Sequence, residues 1–217
     1  MAGEVFISGA TGFMGRALMP ELVARGHRVT ALIRREVPLP AGVRGALTDP
    51  FQYDALARLI LPGSTLVHLV GAKSPAPWKK AQFRAIDLGS ALASIEAARR
   101  AQVAHFVYLS VAHPAPMMKD YIAVRQEGEA ALRASGLNAT AVRPWYVLGP
   151  GRQWPVLLKP LYWLMEQIPS TCKSAVRLGL VTQQQMTATL VNAVEHPATG
   201  FRILETAAIR RGSAVSG

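Results

Sequence analysis

The sequence predicts an α/β fold of the doubly wound kind, a parallel sheet with helices on both faces. Three observations carry this. Short apolar runs alternate along the chain with helix-like segments, the signature of successive βαβ units. The apolar runs are continuous rather than alternating, as in strands covered on both faces. Glycines and prolines fall between them, where the chain must turn. With 217 residues, 50% hydrophobic and 17% charged, the chain suits one domain with a sizeable core.

Val5 to Ser8 is the first strand, stopped by Gly9. From Phe13 to Arg25, Met14, Leu18, Leu22 and Val23 fall near helical spacing, and Gly26 ends the helix. Arg28 to Ile33 is β-rich, and a turn with Pro38, Pro40 and Gly42 follows. Val43 to Leu47 reads as a short strand, Asp54 to Ile60 as a short helix, and Thr65 to Val70 as a strand ended by Gly71. Lys79 to Arg100 is Ala-rich and reads as one long helix. His105 to Ser110 is a strand, Tyr121 to Ala134 a helix closed by Gly136, and Ala139 to Val142 a strand ended by Arg143-Pro144. After Gly149-Pro150-Gly151 the pattern changes, with Pro155, Pro160 and Pro169 among aromatics and leucines. A helix from Thr182 to Glu195 and a strand from Phe201 to Leu204 complete the chain. The organisation expected is a single domain over 1–217, in which 152–200 forms a small substrate-side or lid segment.

The first glycine cluster carries the function. Val5–Ser8 runs into Gly9-Ala10-Thr11-Gly12-Phe13-Met14-Gly15, which opens the first helix. Gly9 permits the tight turn, Gly12 lets backbone approach a pyrophosphate, and Gly15 lets the helix pack close to the sheet. The phosphates then rest on the free N–H groups at the helix N-terminus. This is the phosphate-binding turn of a Rossmann domain.

With G-x-x-G-x-x-G spacing, the chain resembles the short-chain dehydrogenase/reductase superfamily from Val5 to about Gly151. It is most similar to the atypical branch, the epimerase/dehydratase-like, NmrA-like and complex-I-subunit-like members. His68-Leu69-Val70-Gly71, Phe106-Val107-Tyr108-Leu109-Ser110, Gly128-Glu129 and Arg143-Pro144 with Gly149-Pro150-Gly151 support the likeness. The resemblance implies cofactor contacts from Gly9, Thr11, Gly12, Phe13, Met14 and Gly15, from Val70, Gly71 and Ala72 after the third clear strand, and from Pro144. Trp145 and Tyr146 would then line a substrate pocket, or pack as core. The position that often carries Asp near the adenine amine is Ala46 here, with Asp49 further on, so adenine contact would fall to the backbone at Leu47.

NAD binders place an acid at the end of the second strand to hold the ribose hydroxyls. Here that strand ends Leu32-Ile33-Arg34-Arg35, with no acid until Glu36. Two guanidinium groups suit a 2′-phosphate and offer nothing to a neutral diol. NADP is the expected cofactor, with NAD as the alternative.

The superfamily's catalytic pair is Y-x-x-x-K, four apart on one helix face. Tyrosine is the general acid or base, and lysine holds the nicotinamide ribose. This chain offers Tyr121-Ile122-Ala123-Val124-Arg125, with Ser110 at the preceding strand end to polarise a carbonyl. Arginine can bind ribose hydroxyls, but it cannot shed a proton, so no relay runs through it. Two functions remain open. One is an NADP-dependent reductase of a small apolar carbonyl or quinone-like substrate. The other is a catalytically weak nucleotide-binding sensor or assembly factor.

The formal net charge is +11, from basic residues in scattered pairs (Arg34-Arg35, Lys79-Lys80, Arg99-Arg100, Arg210-Arg211). Without a continuous run or interleaved aromatics, this does not read as a nucleic-acid surface. The five histidines lack metal-ligand spacing, so no metal is expected. No apolar run approaches the ~20 residues of a membrane span. Trp154 to Ile168 has features of an interfacial helix, but Pro155 and Pro160 favour a lid over the cleft. A lone cysteine, Cys172, and no signal-like start point to the cytoplasm. A homodimer is in keeping with the superfamily.

Overall fold

Residues 2–72, 79–115, 117–150 and 179–212 are described by the computed structural model. Within them, seven strands form one parallel sheet in the order β3-β2-β1-β4-β5-β6-β9. These are β1 (Glu4–Ser8), β2 (Arg28–Ile33), β3 (Val43–Leu47), β4 (Thr65–His68), β5 (His105–Leu109), β6 (Ala139–Arg143) and β9 (Phe201–Glu205). A second, two-stranded parallel sheet pairs β7 (Tyr146–Leu148) with β8 (Leu180–Thr182), in register Tyr146 to Leu180. This is the doubly wound Rossmann-type α/β arrangement that the alternating pattern predicts.

Each strand's side chains alternate between two cores. Val5 and Ile7 of β1 face one, with α1 (Phe13–Ala24) and α6 (Gln183–Glu195). Phe6 faces the other, with α2 (Tyr53–Leu59), α4 (Gly89–Arg100) and α5 (Lys119–Ala134). Because both faces are covered, the strands carry apolar residues at successive positions. The small residues of α4 (Ala91, Ala97, Ala98) let that helix lie close on the sheet. On the opposite face Met186, Leu190 and Val191 of α6 meet Leu18 and Leu22 of α1. Of the 152–200 segment, residues 152–178 lie outside the described residues, as does the stretch Trp154 to Ile168. The helical part at 183–195 shares the core of α1.

Three elements differ from the sequence reading. The stretch expected as one helix over 79–100 is helical without a break from 80 to 100, but its interior takes π-helical register at Phe83–Leu88, between α3 (Lys80–Gln82) and α4. Ala-rich composition speaks for helix but is blind to a change of hydrogen-bond register. The sheet pair β7–β8 was not foreseen, since three-residue strands are too short for a periodic signal. Nor was α7 (Thr206–Arg211), which buries Ile209 beside α6. Among the described residues no helix is long and apolar enough to cross a membrane.

Winding reverses between β1 and β4: β2 and β3 lie on one side of β1, and β4, β5, β6 and β9 on the other. A crevice therefore opens beyond the carboxyl ends of β1 and β4, the place where such sheets take ligands. Beneath it lies a buried polar row. Ser8 and His68 are register partners on β1 and β4, and His68 and Tyr108 on β4 and β5. His68 sits between α4 hydroxyls, its Nδ1 3.0 Å from Ser94 Oγ, and burial, helped by the charge of Arg125, pushes its pKa down to about 3. His105 is likewise pushed down to about 4 by burial, with a smaller contribution from Arg202.

Both histidines are therefore neutral in the folded protein while the unfolded chain protonates near its ordinary value of 6.5. The folded state's advantage is complete above that value and is lost as pH falls toward the folded values, with a slope of at most about 1.4 kcal/mol per pH unit for each histidine. Urea denaturation between about pH 7 and pH 4.5 should show stability falling with pH. His68→Asn should remove its share of the slope; an unchanged slope in that variant would refute the assignment.

Candidate functional site

The crevice is built from the glycine turn upward. Gly9 has φ +80°, and a Cβ there would lie 2.7 Å from the carbonyl carbon of Leu69, so turn and strand exit approach to a distance that only glycine permits. At Gly15 a side chain would overlap the backbone of Ala10, which seats α1 against the turn. Gly12 caps α1 in extended conformation (φ −77°, ψ 178°) with no side-chain cap. Gly12 itself therefore places no side chain over the start of α1, where an anion site at a helix N-terminus would lie.

A cleft of about 340 Å³ follows from this turn, lined by Gly9, Thr11 and Gly12, by Leu32, Ile33 and Arg34, by Thr48, Pro50 and Phe51, and by Leu69, Val70, Gly71 and Ile86. Arg34 lines the cleft, whereas Arg35 is exposed outside its lining. No carboxylate is among the described residues of the lining. Leu47 is 57% exposed and is not in the lining; the next residue, Thr48, is, held by its N–H donating to the Ile33 carbonyl at 2.8 Å. Asp49 has a different use: its Oδ1 accepts the Phe51 N–H at 3.0 Å, a local turn that carries Phe51 into the cleft wall.

The remaining glycine-turn residues are structural neighbours of the cleft. Met14 and Gly15 are buried in α1, and the Phe13 carbonyl accepts a hydrogen bond of 3.1 Å from Gln183 Nε2 of α6. Pro144 is buried, and its carbonyl accepts the Ala112 N–H. Trp145 and Tyr146 are half-buried at the start of β7, next to the segment outside the described residues.

Tyr121 stands in the first turn of α5, half-buried, edge-on to Phe83 of the π-turn at 5.1 Å between ring centroids. Arg125 lies one turn further on, its guanidinium 5.3 Å from the Tyr121 ring centre and 5.8 Å from that of Tyr108. The guanidinium is turned into the protein. Its Nη2 is 2.6 Å from Asp87 Oδ1, and side-chain exposure is 4% for Arg125 and 0% for Asp87. Nη1 donates to the Leu109 carbonyl at 2.9 Å. Burial alone would lower the Arg125 pKa, but Tyr121, Tyr108 and Asp87 outweigh it and hold the group firmly protonated.

Ser110 is also engaged. Its hydroxyl donates to Glu129 of α5, and Glu129 holds Arg143 of β6 through Nε at 2.9 Å and Nη2 at 2.5 Å. Arg143 Nη1 reaches Glu205 at 2.8 Å. The sequence reading missed Phe51, Phe83, Ile86, Asp87 and Glu129. Asp87 did leave a signal, as the sole acid between Lys79 and Ile95 in an Ala-rich stretch.

Gly71 sits where the Arg125–Asp87 pair passes under the cleft floor, and a Cβ there would overlap Arg125 Nη2. Gly71→Ala should therefore displace a buried ion pair and destabilise the fold by roughly 1–3 kcal/mol, the usual cost of overpacking. Chemical denaturation measures this, and a change below about 0.5 kcal/mol, the range of ordinary surface substitutions, would contradict the geometry.

Residues 9–157 match the family described as NAD(P)H-binding. Among characterised proteins, a ceramide reductase of Caulobacter vibrioides is 30% identical over 216 residues, covering 96% of this chain and 66% of that protein, just under two thirds of its length. Among solved structures, the Bordetella bronchiseptica enzyme WbmH in complex with NAD+ superposes with a TM-score of 0.71 at 19% identity, covering 99% of this chain and 81% of that one. A short-chain dehydrogenase/reductase superfamily protein from Agrobacterium tumefaciens with bound NAD gives 0.69 at 19% identity, covering 93% and 77%. At that identity the two structures speak for the fold alone.

Proposed function

Because the chain belongs to the NAD(P)H-binding family, we propose that it is an atypical short-chain dehydrogenase/reductase acting as an NADPH-dependent reductase of a carbonyl on an apolar substrate, with Tyr121 as proton donor. One observation carries the cofactor preference: among the described residues the cleft at the strand reversal is lined by Arg34 and by no carboxylate. Thr11, Gly12 and the uncapped start of α1 would hold the pyrophosphate. Arg34 would hold the 2′-phosphate by charge-assisted hydrogen bonds. Phe51 offers a flat apolar wall for the adenine. Val70 and Gly71 line the same cleft toward α5.

The cofactor would supply the hydride. The chain's own part is to bind, orient and move one proton. Tyr121 would pass its O–H proton to the carbonyl oxygen as that oxygen gains charge. Ser110 gives its O–H to Glu129 and so has no proton left to polarise the carbonyl in this arrangement; its part would be to fix the end of β5. The likeness to a ceramide reductase supports a carbonyl carried by a lipid of that class. The inward turn of Arg125 favours the second reading, a nucleotide-binding sensor or assembly factor with little turnover. Turnover assays separate the two.

Calorimetric titration should show NADP(H) binding more tightly than NAD(H). Arg34→Ala should weaken NADPH binding by about 1.5–3 kcal/mol and spare NADH, as for loss of a hydrogen bond to a charged group. Arg35→Ala should matter less, since Arg35 is outside the lining. Tighter wild-type binding of NADH would overturn the preference.

NADPH oxidation followed at 340 nm against long-chain keto lipids, quinones and aldehydes tests the chemistry. Tyr121→Phe should lower turnover by two or more orders of magnitude, the scale of general acid catalysis, and leave NADPH affinity nearly unchanged. Turnover that survives the change would remove Tyr121 as donor; no wild-type turnover on any substrate would favour the sensor reading.

A further inference from the structure

We propose that Asp87 is a positioning residue of this cleft: it holds Arg125 inside the protein as a clasp, so that the guanidinium fixes the cleft floor instead of reaching the bound nucleotide. The inference rests on the reading of the cleft as a dinucleotide site. The pair joins four segments that are far apart in sequence. Asp87 comes from the π-turn and Arg125 from α5, and Oδ1 and Nη2 meet at 2.6 Å. The second carboxylate oxygen, Oδ2, accepts the N–H of Ala72 at 3.0 Å. Arg125 Nη1 donates to Leu109 at the end of β5, and Nη2 also lies 3.4 Å from the Val70 carbonyl. The exit of β4 is therefore held from below on both sides of Gly71, which lacks the Cβ that would block the guanidinium.

The π-turn makes this possible. In this turn Phe83 packs on Tyr121, Ile86 lines the cleft and Asp87 points inward, so one six-residue turn supplies a cleft wall, a support for Tyr121 and the carboxylate of the clasp. The chemistry of the pair suits a clasp. A planar guanidinium can meet a carboxylate and two carbonyls at once, and a lysine ammonium, a compact point charge, cannot copy that fork. A carboxylate accepts at both oxygens. A carboxamide at 87 would turn a donor toward either the Ala72 N–H or the guanidinium, both of which are donors themselves.

Asp87→Asn and Arg125→Lys are the test variants. Each preserves size, and the second keeps the charge, so at least one is expected to fold. Hydrogen–deuterium exchange on the ligand-free proteins should show faster exchange of residues 69–72, with α6 at Gln183–Glu195 unchanged, because a local clasp and not the whole fold has been loosened. NADPH titration should show affinity weakened by tenfold or more in both. Unchanged exchange at 69–72 in both variants, or acceleration as large in α6, overturns the clasp. Arg125→Lys that binds NADPH as well as or better than wild type overturns it too, since that is the behaviour of a side chain that touches the nucleotide itself. Wild-type protein that binds neither NADPH nor NADH defeats the reading of the cleft, a separate failure from that of the exchange measurement.

Discussion

The architecture depends on one close approach. At the reversal of strand order, the turn after β1 lies against the exit of β4, with Gly9 at φ +80° and no room for a side chain against Leu69 and Val70. Two parallel strands that diverge in their connections leave a crevice there, and the backbone contact sets its width. A crevice alone would be an unspecific groove. Under the proposed reading the turn is what would make it an anion site, because Gly12 ends the loop as a cap without a side chain and α1 begins directly beneath.

The second dependence runs from the opposite side of the crevice. The π-turn between α3 and α4 changes register by one residue and so aims consecutive side chains at different tasks. Ile86 faces the cleft while Asp87 faces the sheet. Buried charges at this place are costly to leave unpaired, and Arg125 meets Asp87 directly, although its Nε finds no hydrogen-bond partner among the described residues. Ser110, Glu129, Arg143 and Glu205 form a second chain of this kind across β5, α5, β6 and β9. Both networks end at strand carboxyl ends, so they hold the cleft's rim and not only the core.

The excess of basic residues takes a plainer meaning in three dimensions. Many arginines are tied to acids on the surface: Arg28 to Glu4, Arg84 to Glu127, Arg99 and Arg100 to Glu96. Such exposed pairs add little to stability. Arg34 differs because of where it stands, at the end of β2 in the cleft lining. Position, and not the abundance of arginine, is what makes it the candidate for the 2′-phosphate in the proposed reading.

The reversal of strand order that opens the crevice came from the fold; by itself the sequence determined the order of the main strands and helices, the glycine turn, and two arginines at the end of β2. Those features are local: periodicity of apolar residues, glycine where backbone must pass closely, charge next to a strand end. The pairing Tyr121–Arg125 was also legible, as a four-residue spacing. Its orientation was not, because Arg125 turns inward only when Asp87, 38 positions earlier, is brought beneath it by the fold. Phe51 entered the cleft wall through a turn made by Asp49, and Thr48, the residue after Leu47 at the end of β3, lines the cleft. Which atom a polar side chain meets depends on segments distant in the chain, and only tertiary structure brings those together.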